Sequence, residues 1–267
     1  MTQSFLPTGV YNPVVTADGQ RWRDFELEPQ AVAVVAAPRV PERMPERERE
    51  PDRMPDRGPE RGPWRPSWLE RCRPYGVAGG LVRPDPQTQE DMVRAVPVTG
   101  QGVPRRFPDP RGMWVRLING AGAADDPFRA TNALDCALAV LSTWYGTPTV
   151  AAPRRPEYDR IGRPLLTGEA GGGARAERWL GQRFQYVGQG RQAYVPIGQA
   201  LLAGGHGAAA IIANRWPAGG SHVWNAVNSG GEVIWIDAQR GHMAVDPPYD
   251  AVTGVFCVVI DREGRRL

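Results

Sequence analysis

The sequence predicts an α+β fold with a mainly antiparallel sheet, because helical patterns come first in the second half of the chain and strand patterns follow. Four segments have the length and apolar character of buried strands: 208–213, 222–228, 232–237 and 254–260. The second and third of these are separated by a short turn around Ser229-Gly230, which is typical of a β-hairpin. Consecutive strands joined in this way pair antiparallel.

The central helix of this fold is predicted to begin near Asn132. Asn132 and Asp135 both favour a helix N-terminus, and Gly146 with Pro148 supplies a stop signal. Apolar side chains recur between these signals at helical spacing: Leu134, Leu138, Leu141 and Tyr145. Cys136 then lies in the first turn, where the positive end of the helix dipole favours a thiolate. The alternative is a small buried core residue, which is the more common role of a cysteine.

Other elements follow from local signals. A helix is predicted over 87–95, a strand over 113–118, and helices over 174–184 and 196–203. Residues 151–173 are rich in Pro, Gly and Arg, which predicts a surface loop.

Composition divides the chain into four parts. Residues 1–40 are predicted to form an N-terminal tail, with a docking or delivery segment as the alternative. Residues 41–66 repeat a Pro-acid-Arg unit, which forbids regular helix and predicts an extended, disordered linker. Residues 67–112 are transitional, and residues 113–267 are predicted to form one compact domain.

The charge and the cysteine pattern exclude several classes of function. The formal net charge of +3 demands neither nucleic acid nor an anionic membrane as partner. Three cysteines and three histidines without zinc-type spacing predict no metal site, and no cofactor is indicated. The apolar run 31–37 is too short to span a bilayer, and no secretory signal is visible. Localisation is therefore left open, and export would need a specialised route.

The predicted hairpin brings a histidine and a carboxylate together. If Ser229-Gly230 is the two-residue turn, His222 lies opposite Asp237, and directly opposed side chains share a face. The carboxylate can then accept from one ring nitrogen and leave the other free to act on a thiol. If Gly231 joins the turn, Asp237 becomes a diagonal neighbour of His222. Taken singly, His222 could be an edge-strand residue and Asp237 a strand-end cap.

Three motifs occur in order along the second half of the chain. They are Asn132-Ala133-Leu134-Asp135-Cys136-Ala137, His222-Val223-Trp224-Asn225-Ala226-Val227-Asn228, and Ile236-Asp237-Ala238-Gln239. The chain resembles, over roughly 117–260, the papain-fold toxin family described as glutamine deamidases. Members often carry a second cysteine just after the asparagine, and Ala133 stands there in this sequence.

The resemblance implies a papain-like fold in which a helix bearing Cys136 packs on a sheet bearing His222 and Asp237. It implies a bacterial toxin or effector that converts a glutamine side chain of a target protein to glutamate, with a cognate immunity protein as a further partner. The backbone N–H of Cys136, with Asn132 or Gln239 as a side-chain donor, would hold the oxyanion. Asn132 could equally be a helix cap, and Gln239 a turn residue.

Two other functions remain open at this stage. A cysteine peptidase or a transglutaminase would use the same triad, and a papain-like domain could also act as a non-catalytic interaction module. Among the remaining candidates, His206 and His242 are predicted to be loop residues, Cys257 a core residue, and Cys72 exposed without a role.

Overall fold

The computed structural model describes residues 68–120, 122 and 126–267, so the predicted tail and linker lie outside the described residues. The helices are α1 (Pro86–Ala95), α2 (Trp114–Leu117), α3 (Ala133–Trp144), α4 (Gly172–Leu180) and α5 (Tyr194–Gly204). Short 3-10 helices cover Leu69–Cys72, Pro127–Arg129 and Arg191–Ala193. The strands are β1 (Gln185–Gly188), β2 (Ala209–Arg215), β3 (Ser221–Ser229), β4 (Glu232–Asp237), β5 (His242–Ala244) and β6 (Gly254–Ile260).

These six strands form one sheet in the order β1-β6-β2-β3-β4-β5. All five neighbouring pairs are antiparallel. The α+β prediction with an antiparallel sheet is therefore confirmed, and the strands predicted at 232–237 and 254–260 have the bounds observed.

Helices cover both faces of the sheet. On one face, α3 packs with apolar residues of the sheet such as Val223, Val227 and Ile236. On the other, α5 packs against Trp224, Trp235 and their neighbours. Side chains alternate between the faces along each strand, and because both faces are buried the central strands read as continuous apolar runs.

The turn of the β3–β4 hairpin lies one residue later in the chain than the two-residue turn of the first predicted register. Ser229 pairs with Glu232, so Gly230-Gly231 forms the turn. Both glycines have positive φ, +66° and +93°, which a two-residue type I′ turn requires. The observed register, carried one step past the last recorded pair, places Asp237 opposite Trp224, a diagonal neighbour of His222. The prediction that His222 and Asp237 lie directly opposite each other was wrong. The alternative, in which they are diagonal neighbours, is the one observed.

Two other local predictions were wrong. Residues 113–118 were expected to form a strand, but Trp114–Leu117 is helical. Buried Trp114 and Ile118 lie one helical turn apart, and the indole N–H of Trp114 donates to the carbonyl of Asp109 at 2.7 Å. Residues 151–173 contain no helix or strand up to the start of α4, yet Ala151 and Glu169 near the two ends of the segment are buried. It is therefore only in part a surface loop.

Residues 68–112 contribute to the same core. The predicted helix at 87–95 is confirmed as α1, where Asp85 caps the first turn by accepting from the backbone N–H of Gln87 at 2.9 Å. Met92 of α1 and Leu69 are fully buried in the cluster that contains α3. The domain boundary at residue 113 stays a prediction, and these contacts favour an earlier one. No helix within the described chain has the length and apolar character needed to cross a membrane.

Candidate active site

Asn132 precedes α3 and links it to two neighbouring segments. Its side chain does not cap the helix. Instead the amide Nδ2 donates to Oδ1 of Asn119 at 2.9 Å and to the carbonyl of Ala152 at 3.1 Å. Asn132 therefore occupies the predicted N-cap position, but its Oδ1 accepts from the thiol of Cys136 and from Gln239 rather than from a backbone N–H of the first turn.

Cys136 is the fourth residue of α3 and is only 1% exposed. Its Sγ donates to Oδ1 of Asn132 at 3.4 Å. Its backbone N–H donates to the carbonyl of Asn132 at 3.0 Å, as the first bond of the helix. The N–H predicted as an oxyanion donor is therefore already engaged.

The thiol of Cys136 is not held as a thiolate. Burial, followed by the charges of Asp135 and Asp237, raises its pKa well above the usual value, and the more distant charges of Arg129 and Arg73 offset only part of this. The pKa shift is opposite in direction to the one expected from the helix dipole, because burial and two carboxylates raise the pKa. A base must remove the proton before sulfur can act as a nucleophile.

We expect Cys136 to be alkylated slowly in the free protein. Because a thiol with a raised pKa is mostly protonated near neutral pH, iodoacetamide should react roughly tenfold more slowly than with free cysteine at about pH 7.5. The rate should rise steadily to above about pH 9, where free cysteine levels off. Peptide mass spectrometry separates Cys136 from Cys72 and Cys257. Fast alkylation that is independent of pH between about 6 and 8 would indicate a preformed thiolate instead.

His222 and Asp237 form a direct pair. The Nε2 atom of His222 lies 2.9 Å from Oδ2 of Asp237, and both side chains are buried. Burial alone would raise the pKa of Asp237, but the hydrogen bond and charge of His222 and the hydroxyl of Tyr249 hold it below its ordinary value. Nδ1 of His222 makes no hydrogen bond to any part of the chain that the structure describes, so it is the nitrogen left for chemistry.

Gln239 connects this pair to the start of α3. Its Nε2 donates to the carbonyl of Arg129 and to Oδ1 of Asn132, both at 3.3 Å. Its backbone carbonyl accepts from Nδ2 of Asn119 at 2.8 Å. Oδ1 of Asn132 is therefore shared between Gln239 and the thiol of Cys136, and the thiol, the amides and the His–Asp pair gather at one end of the sheet.

The thiol and the imidazole are not in hydrogen-bond contact among the described residues. His222 shares a strand face with Trp224, which packs toward α5, whereas Cys136 packs on the opposite face with α3. Proton transfer between Sγ and the imidazole therefore needs a local rearrangement at the sheet end.

Sequence reasoning missed two features of this region. Tyr249 contacts both members of the His222–Asp237 pair. Beneath Cys136, the buried carboxylate of Asp135 pairs with Arg73 at 2.7 Å and with Arg175 at 2.9 Å. No local pattern marks Tyr249. The only signal for the ion pairs was an acidic residue inside an otherwise apolar helix.

The other histidines and cysteines lie elsewhere. His206 accepts from the backbone N–H of Gly230 at 3.1 Å, away from the pair. His242 begins β5 opposite Asp237, so its assignment to a loop was wrong.

The other two cysteines lie outside this region. Cys257 is buried in β6 as predicted, and Cys72 is half-buried rather than exposed, with its thiol donating to the carbonyl of Leu69. The described residues contain no group of three or more His, Cys, Asp or Glu side chains arranged to hold a metal ion.

Comparison with protein families identifies the region that carries this site. Residues 131–242 match the family described as papain fold toxin 1, glutamine deamidase. This part of the chain is similar to members of that family. The segment is narrower than the resemblance at 117–260, yet it contains Asn132, Cys136, His222, Asp237 and Gln239. The helix carrying Cys136 and the hairpin carrying His222 and Asp237 both lie within the matched segment. No curated protein and no solved structure gives a significant match.

Proposed function

We propose that this papain-fold toxin domain deamidates a glutamine side chain of a target protein to glutamate, with Cys136 as nucleophile, His222 as acid and base, and Asp237 as the group that orients His222. The observation that carries the proposal is the His222–Asp237 pair at 2.9 Å, at the end of the sheet where the cysteine-bearing helix begins. A Cys–His–carboxylate set is the arrangement that acyl transfer from an amide requires.

The first half of the reaction forms a thioester. Nδ1 of His222 takes the proton of the Cys136 thiol as sulfur adds to the side-chain carbonyl carbon of the glutamine. The imidazolium, stabilised by Asp237, then gives this proton to the amide nitrogen, and the C–N bond breaks to release ammonia. The raised pKa of Cys136 fits this order, since the proton is removed during attack rather than beforehand.

The second half of the reaction hydrolyses the thioester and regenerates the free thiol of Cys136. His222 takes a proton from water as the water oxygen adds to the thioester carbon. The C–S bond then breaks, and the proton passes from His222 to sulfur, which leaves glutamate and the thiol of Cys136. No electron acceptor or cofactor enters either half.

Gln239 is the side chain best placed to stabilise the oxyanion. The N–H of Cys136 is engaged in the helix, and Asn132 uses both hydrogens of its amide at 2.9 and 3.1 Å. The two bonds of Gln239 Nε2 are longer, 3.3 Å each, so a substrate oxygen that carries negative charge can displace one of them.

The proposed reaction can be separated from its alternatives in one experiment. The full chain is incubated with an N-blocked glutaminyl-glycine dipeptide and with unfolded casein, and the products are analysed for ammonia and by mass spectrometry. We expect conversion of glutamine to glutamate, without peptide-bond cleavage, at a rate roughly a thousandfold above that of a Cys136→Ala sample.

Other products would assign other functions. Cleaved peptide bonds would indicate a peptidase, and incorporation of an added primary amine at glutamine would indicate a transglutaminase. Absence of any change, in these substrates and in the proteins of cells that the chain poisons, would refute the deamidase proposal. A protein partner that binds without being modified would support an interaction module.

A further inference from the structure

Tyr249 lies outside the segment that matches the toxin family, in the connection between β5 and β6. Its hydroxyl hydrogen-bonds Oδ2 of Asp237, the same oxygen that meets Nε2 of His222. The phenol oxygen also accepts from Nη1 of Arg240 at 2.6 Å. Tyr249 is therefore a direct neighbour of the proposed active-site pair.

The direction of these hydrogen bonds is determined by the chemistry of the groups. A guanidinium has only donors, so Arg240 must donate to the oxygen of Tyr249. The single hydroxyl hydrogen of Tyr249 is then directed to the carboxylate of Asp237. Oδ2 consequently accepts from both His222 and Tyr249, while Oδ1 lies 3.4 Å from the backbone N–H of Arg240.

The ring of Tyr249 also contacts the imidazole. Its plane lies edge-on to the ring of His222, with centroids 5.4 Å apart and an angle of 87°. Trp216 and Trp224 contact Tyr249 in the same edge-on way at 5.2 and 5.4 Å. The aromatic ring is held by two indoles, and in turn it limits rotation of the imidazole.

We propose that Tyr249 is a positioning residue that fixes the Asp237 carboxylate and the His222 ring, so that Nδ1 is the nitrogen presented to Cys136. Without the hydroxyl, the carboxylate loses a hydrogen-bond donor at Oδ2 and can rotate away from Nε2, because the guanidinium of Arg240 lies 3.7 Å from this oxygen. This inference rests on the proposed function, and it adds a residue from beyond the family segment to the machinery of that function.

The test compares Tyr249→Phe with Tyr186→Phe. The first keeps the ring and removes only the hydroxyl, and the second makes the same change on an exposed tyrosine of β1 whose ring is tilted against that of Phe256. With the blocked dipeptide, we expect Tyr249→Phe to lower kcat about tenfold and to change KM by less than about twofold, because the substrate does not touch the hydroxyl. Tyr186→Phe should leave both constants unchanged.

A second measurement detects the hydrogen bond itself. The pKa of Asp237 is held low in the folded state, so its contribution to stability is present above the ordinary carboxyl pKa and is lost as pH falls through the folded value. The deficit in Tm of Tyr249→Phe should therefore be about 2–4 °C near pH 7 and should shrink toward about pH 3. His222, Arg240, Cys136 and the ladder partner His242 also face Asp237, and all four are common to both proteins.

Each outcome bears on the inference separately from the deamidase proposal. A Tm deficit that does not vary with pH, or a kcat within about twofold of the parent, would overturn the positioning role. If the parent chain deamidates nothing, the alkylation rate of Cys136 replaces kcat. A fall of about fivefold in Tyr249→Phe would then support the inference even though the proposed function had failed, and an unchanged rate would overturn it.

Discussion

Cys136→Ala is expected to abolish deamidation and to leave the fold intact. Removal of a nucleophile that acts as a unit with its base lowers kcat by roughly 10³–10⁶. The structural cost is small, because Sγ makes one long bond, 3.4 Å to Asn132, and loss of a single buried sulfur typically costs about 1 kcal/mol. Ammonia release measures deamidation, toxicity in recipient cells measures the biological effect, and circular dichroism measures the fold.

Cys257→Ala is the matched control. It removes a second buried thiol, 5% exposed, from the sheet face that packs against α5. We expect its activity to stay within about twofold of the parent, since β2 lies between the strand of Cys257 and the strand of His222 and no bond joins this thiol to the His–Asp pair. Full toxicity in Cys136→Ala would contradict the catalytic role and favour an interaction module. Equal loss in both variants would mean that stability, rather than chemistry, had been removed.

The parts of the fold that the sequence predicted are those with local signals. The bounds of β4 and β6 followed from apolar runs between turn residues, and the helix predicted over 87–95 lies within one residue of α1 at its start. The strand β1 was missed because it is a short edge strand with a bulge at Gly188, and β5 was missed because it has only three residues. Neither strand is long enough for an alternation of apolar and polar residues to be recognised.

Errors arose where tertiary packing decided between two local options. The hairpin turn could include Ser229 or Gly231, and the positive φ required at both turn positions selects two glycines. The segment around Trp114 is apolar enough for either a strand or a helix, and the neighbouring core selects the helix. The protonation of Cys136 depends on burial, which no spacing of residues reveals.

The candidate site shows the same contrast between features with a local sequence signal and features that depend on tertiary packing. Asn132, Cys136, His222, Asp237 and Gln239 lie in motifs, so a resemblance could locate them. The contacts between these residues could not be predicted from the motifs, because the Asp237 carboxylate is held by Tyr249, a side chain from the connection between β5 and β6. Tyr249 is twelve residues from Asp237 along the chain, in a stretch without a pattern. The partners of Asp135 are 62 and 40 residues away.

Asp135→Asn is expected to cause the largest loss of stability in the domain. Asp135 is fully buried in α3, where Oδ2 accepts from Arg73 at 2.7 Å and from the backbone N–H of Ala152 at 2.7 Å. Oδ1 accepts from Arg175 at 2.9 Å, and Arg175 also pairs with buried Glu169 at 2.5 Å. Although burial alone would raise the pKa of Asp135, the charges of the two arginines hold it below the ordinary value.

The neutral amide leaves buried Arg175 with Glu169 as its remaining carboxylate, and buried Arg73 with only the half-buried Glu70 at 3.1 Å. Removing one partner from a buried ionic group typically costs about 3–5 kcal/mol, which for a domain of this size lowers Tm by roughly 10 °C. Thermal and urea unfolding, each at several pH values, would measure the loss. Because the pKa of Asp135 is depressed in the folded state, the deficit should be complete at neutral pH and should decrease as pH falls below about 4.

Asp91→Asn provides the matched control on the surface of α1. Asp91 accepts from Arg94 at 3.1 Å and from Gln87 at 2.9 Å, and all three side chains lie near solvent. The same substitution there should cost less than about 0.5 kcal/mol, because exposed ion pairs contribute little. If Asp135→Asn were as mild, the buried arginines would have found other partners or water. A large loss confined to Asp135 would instead show that its buried pairs with Arg73 and Arg175 stabilise the helix that carries Cys136.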